Sequence, residues 1–101
     1  MFSGGSYEEV GRWLRNFLTS HAKRENPRAE VVLEMGEDRQ GRSYGVRFRL
    51  GDRLSPAGEY AFPEVASQRG TLLWCRDLAT RARASVRTLA GAAGVAAGRA
   101  E

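Results

Sequence analysis

Arg69, Arg76, Arg83 and Arg87 recur at intervals of seven, seven and four residues. Wound into an α-helix, residues seven apart drift by only about 20°. The four guanidiniums would then form one row about 27 Å long, at about 1.5 Å per residue. Such a row could neutralise several phosphates of a nucleic acid, each contact adding a salt-dependent increment of affinity. The competing reading is structural. The row runs along the border of its helix's apolar face, where arginines lay their methylenes on the core rim and keep their charged heads in water. Arg81 lies off the row and reads as solvated.

Beside the row stand Leu73 and Trp74. Trp74 falls near the rim of the apolar face, where it can close over the core or anchor a contact with another molecule. Leu73 points away from that face. A large aliphatic side chain left in water beside a tryptophan is a local sign of a contact surface. Trp13, in the middle of an apolar stripe, is expected in the core.

Catalytic chemistry finds little support. His21 is the only histidine, placed among cations at a helix end, and reads as a capping or solvated residue. Cys75 is the only cysteine and lies on an apolar face, where a thiol is inert rather than nucleophilic. A serine nucleophile would need the same His21 as its base. No phosphate-binding loop, dinucleotide fingerprint, zinc-protease motif or calcium-loop spacing is present. Glu37 and Asp38 are two carboxylates on a turn, which ordinarily stay solvated. The expectation is a protein with no catalytic residues, no metal and no cofactor, and no small-molecule substrate is evident.

The chain of 101 residues is long enough for one two-layer domain. Its 42% hydrophobic and 28% charged residues fit a folded protein rather than a disordered one. The net charge of +4 is unevenly placed. Basic and acidic side chains cancel over residues 1–64, so the whole excess lies in the last third. Arginine nonetheless outnumbers lysine fifteen to one amid many alanines and glycines, a bias that a GC-rich genome produces by default. No apolar run approaches the roughly 20 residues of a membrane span. No charged segment followed by an apolar one opens the chain, so a cytoplasmic location is expected. An interfacial helix on anionic lipid would suit Trp74 among cations, but the alanine-rich apolar face is weakly hydrophobic and argues against membrane binding.

The elements that would position these residues follow from periodicity. Val10, Trp13, Leu14, Phe17 and Leu18 share one helical face, Ser6 with Glu9 makes a capping box, and Asn26-Pro27 stops the helix, predicted over about 6–23. Residues 29–35 and 44–50 alternate with period two and are joined by the polar turn GEDRQG, predicting an antiparallel hairpin. Centred between Asp38 and Arg39, that hairpin sets Glu30 opposite Arg47 and Val31 opposite Val46; a shifted register would give Glu30 to Arg49. Tyr60 and Phe62 supply a short third strand before Pro63. A long helix then starts between Pro63 and Ser67 and runs without interruption to about Ala90, with Cys75, Leu78, Ala79, Ala82, Val86 and Leu89 on one face.

The order is therefore α-β-β-β-α: an α+β domain over residues 1–90, with two helices on one face of a three-stranded antiparallel meander. Residues 91–101 are expected to be a frayed or disordered Ala/Gly-rich tail. The order matches that of double-stranded-RNA-binding domains, but the residues do not. Glu64 stands where that family carries a basic cluster, and Glu37 and Asp38 occupy the hairpin loop that would meet RNA. The favoured function is a small protein–protein interaction module that self-associates through the C-terminal helix or a sheet edge. Nucleic-acid binding through the arginine row is the alternative. The residues carrying either role are Arg69, Leu73, Trp74, Arg76, Arg83 and Arg87.

Overall fold

The computed structural model describes residues 5–99, with side chains described as far as Gly91. Helix α1 spans Tyr7–Glu25 and begins with the expected capping box: the Ser6 hydroxyl accepts from the Glu9 N–H, and the Glu9 carboxylate accepts from the Ser6 N–H, both at 3.1 Å. Val10, Leu14, Leu18 and Ala22, at helical spacing, are fully buried. They carry α1 across the inner face of the sheet.

The sheet comprises β1 (Glu30–Glu34), β2 (Ser43–Leu50), β3 (Arg53–Leu54) and β4 (Gly58–Ala61), all antiparallel, with β2 central. Tyr44, Val46 and Phe48 alternate inward from β2 and are buried. The hairpin register differs from the expected one by two residues. Glu30 lies opposite Arg49 and Val31 opposite Phe48, so Arg47 faces Val32 rather than Glu30. A shift of two preserves every side chain's face, which is why alternation could not detect it.

The third strand is split by a bulge. Between the Phe48–Ser55 and Val46–Gly58 pairings β2 advances two residues and its neighbour three, so Pro56 and Ala57 together oppose Arg47. Proline lacks an N–H for the ladder and suits that position. The Ser55 side chain mends the gap, its Oγ accepting from the Phe48 N–H at 2.8 Å while the Ser55 N–H bonds the Phe48 carbonyl. Phe62, expected in the strand, instead begins a helix.

Two helices complete the layer, α2 (Phe62–Gln68) and α3 (Leu72–Arg99), where the sequence predicted one. The chain breaks at Arg69-Gly70-Thr71. Gly70 costs a helix about 1 kcal/mol relative to alanine. Thr71 offers a new start, its carbonyl accepting from the Cys75 N–H at 3.0 Å. The break lets α2 bury Val65 and Ala66 in one direction while α3 buries Leu78, Ala82 and Val86 in another. The expected tail over 91–101 lies mostly outside the described side chains, although α3 itself continues to Arg99. The architecture is α+β, with all three helices packed on one face of an antiparallel sheet.

Two tyrosines lock the layers together. Tyr7 and Tyr44 stack with centroids 4.7 Å apart, and the Tyr44 hydroxyl donates to the Tyr7 carbonyl at 2.7 Å. Gly11 makes room for this pair, since a Cβ there would lie 2.8 Å from Tyr44 Cε1. Burial pushes the Tyr44 hydroxyl pKa well up, keeping it a neutral donor.

Candidate binding surface

The break at Gly70 dismantles the four-arginine row. Arg69 caps α2, and its guanidinium lies beside Gly5 at the start of α1, with Nη2 3.3 Å from where a Gly5 Cβ would be. Arg87 reaches across to α1 and grips the Glu25 carboxylate with two hydrogen bonds of 3.1 Å. Arg83 approaches the same carboxylate at 3.7 Å. Within α3's part of the row, Arg76 stands clear of any carboxylate among the described residues. The expected phosphate row is thus one outward arginine, two ion-paired ones, and a fourth on another helix. Glu25 was the missed partner. It stands in line with Leu14 and Leu18 on the α1 wheel, so a carboxylate aimed at the neighbouring helix was available as a signal.

The start of α3 carries the exposed apolar surface. Leu72 is 77% exposed and Leu73 67%. Leu73 thus stands in water as its position on the wheel indicated, while Leu72, on the Cys75 and Ala79 side of the wheel, is exposed as the first residue of α3. Trp74 behind them is half-buried. Its ring stacks on Trp13 at 6.5 Å, and its indole N–H donates to Glu64 at 3.0 Å, tying α3 back onto α2. Trp13 and Phe17 stack in turn at 5.1 Å, so aromatic rings continue along α1 from Trp74.

Farther along the same side of the helical layer, α1 and α3 enclose a groove of about 300 Å³. Phe17 and His21 form one wall, their rings 4.6 Å apart; Leu72, Arg76 and Arg83 form the other, with Cys75 and Ala79 between. No carboxylate lines it. His21 is neither a cap nor solvated. It is half-buried, its Nδ1 sits out of water with no hydrogen-bond partner among the described residues, and its pKa lies below the usual imidazole range. Burial is the main cause, aided by the nearby positive charges of Arg24 and Arg83. The Cys75 thiol, pushed up by burial, donates to the Arg69 carbonyl at 3.2 Å and steadies the break. A protonated, hydrogen-bonded thiol of this kind is a poor nucleophile.

The sheet's outer face is a charge lattice. Arg49 pairs with Glu30, Arg47 donates to Glu34 at 2.9 Å, and Arg39 bridges Glu34 and Glu59. Arg39 lies directly over Gly45, where a Cβ would come within 2.7 Å of its Cζ. These cations are spoken for by their neighbours and leave the outer face self-neutralised. Comparison of the chain with family models, with curated proteins and with solved structures returned no match.

Proposed function

We propose that this chain is a non-enzymatic protein–protein interaction module that associates with a second copy of itself through the first turn of α3. The observation that carries the reading is the adjacent exposure of Leu72 and Leu73 in front of the anchored Trp74. Burying a leucine contributes about 1.5–3 kcal/mol. A two-fold contact uses both leucines of each copy, a gross gain of about 6–12 kcal/mol. Association costs about 4–15 kcal/mol in lost freedom. These terms nearly cancel, so the dimer is weak and forms as concentration rises. The lowered basicity of half-buried His21, which lies beside Arg24 and Arg83, and the hydrogen-bonded thiol of Cys75 favour binding over catalysis as the working mode.

Light scattering tests this directly. The mass should climb from monomer towards dimer with concentration, and Leu73→Asp should hold the protein monomeric without altering its circular dichroism. A wild-type chain that stays monomeric at the highest attainable concentration overturns self-association.

A further inference from the structure

We propose that the groove between α1 and α3 receives an amphipathic helix of an acidic partner protein, its apolar stripe on Phe17, Leu72 and Ala79 and its carboxylates on Arg24, Arg76 and Arg83. The proposal goes beyond self-association and does not require it, although the two surfaces meet at Leu72.

The shape of the groove selects a helix. It lies between two helices on the side of the layer away from the sheet, so no strand edge is at hand to pair with an extended peptide. An amphipathic helix laid in such a trough presents side chains three and four residues apart to one apolar strip. The small residues Cys75 and Ala79 let a partner's side chain descend between the two walls.

Charge selects the partner. Arg76 and Arg83 line the groove, Arg83 already 3.7 Å from Glu25, and Arg24 is close enough to His21 to depress its pKa. Arg24 and Arg76 have no carboxylate partner among the described residues, and the groove supplies none. A second copy laid along the length of the groove would bring its own Arg76 and Arg83 against these, so like charges oppose a symmetric contact there and confine the two-fold contact to the Leu72–Leu73 turn. Nucleic acid fits the cations less well than a peptide does. The strip between the arginines is largely apolar (Phe17, Leu72, Cys75 and Ala79), and its one hydroxyl, on Thr80, already donates to the Arg76 carbonyl at 3.0 Å, so it offers a row of phosphates little beyond the cations.

The test uses the full chain and fluorescein-labelled synthetic peptides of about five helical turns. One peptide carries leucines at helical spacing flanked by glutamates; a second replaces the glutamates with lysine, and a third the leucines with serine. In fluorescence anisotropy the acidic leucine peptide should bind saturably, and the lysine and serine peptides should not. Arg76→Glu should weaken binding about tenfold or more, equivalent to about 1.4 kcal/mol. Leu73→Asp, which points away from the groove, should leave peptide binding intact while abolishing the dimer. The two readings therefore fail separately. Absence of saturable binding by the acidic peptide, equal binding of either control peptide, or indifference to Arg76→Glu would each overturn the proposal. A short DNA duplex that binds more tightly than the peptide and is lost on Arg76→Glu would reassign the groove to nucleic acid.

Discussion

Glu25, near the end of α1, holds Arg87 of α3 through two hydrogen bonds of 3.1 Å that span 62 residues of sequence. This clamp ties the two long helices together beside the groove, where Arg83 approaches the same carboxylate. It also turns an arginine that periodicity assigned to a partner inward on the chain itself.

The clamp gives a pH signature. The Arg87 hydrogen bonds hold the Glu25 carboxyl below its ordinary range, with Arg83 adding to the effect. A carboxylate whose folded pKa is lowered stabilises the fold above its unfolded pKa, and that stabilisation fades as pH falls through the folded value. Glu25→Gln should therefore lower the urea midpoint at neutral pH. The difference from wild type should vanish in strong acid, where wild-type Glu25 is protonated too. A difference that persists unchanged into acid would assign the loss to packing.

His21 shifts stability in the same direction, from a different cause. Its folded pKa is depressed, mainly by burial and then by Arg24 and Arg83, so the unfolded chain takes up the proton first. Stability should fall as pH drops below the unfolded imidazole value near 6.5 and level off below the folded one. NMR titration of the single histidine is the measurement. An apparent pKa at or above that of a free imidazole would contradict the burial described for Nδ1.

The first helix was legible from Ser6 to Leu18, because a capping box and a one-sided stripe are local signals, and the helix forms as they specify. Strand faces were equally legible. The hairpin register was not, since Arg47 and Arg49 share a face and either can meet Glu30 without moving any residue across the sheet. The bulge at Pro56-Ala57 arises from pairing with β2, which no local pattern reports. Gly70-Thr71 did carry a break signal. A helical wheel drawn through it lined up Arg69 with arginines from which it is separated, and hid that Leu72 opens a helix of its own.

Gly11→Ala sets two known effects against each other. Replacing a mid-helix glycine gains about 1 kcal/mol in helix propensity. The new methyl would sit 2.8 Å from Tyr44 Cε1, on a ring held by stacking on Tyr7 and by its hydroxyl bond. Overpacking of a fixed core costs about 1–3 kcal/mol. The net should be destabilising by about 1 kcal/mol, read from chemical denaturation. A stabilised variant would mean that the tyrosine pair yields readily.

Gly45→Ala should act on the outer face instead. Its methyl would displace the Arg39 guanidinium and part it from Glu34 and Glu59. Glu59, whose pKa is lowered chiefly by Arg39 and then by Ser43, should titrate at higher pH in the variant. Carboxyl NMR of Glu59 checks this, and an unchanged titration would show that Arg39 finds another path over the sheet.

The most direct measurement of how the start of α3 behaves is a dilution series of amide NMR spectra on the wild-type chain. Signals of Leu72, Leu73 and Trp74 should shift progressively with concentration while those of β1 and the outer face stay fixed. Shifts confined to Glu30–Glu34, or no shifts at any concentration, would contradict the assignment of the exposed leucine pair as the contact surface.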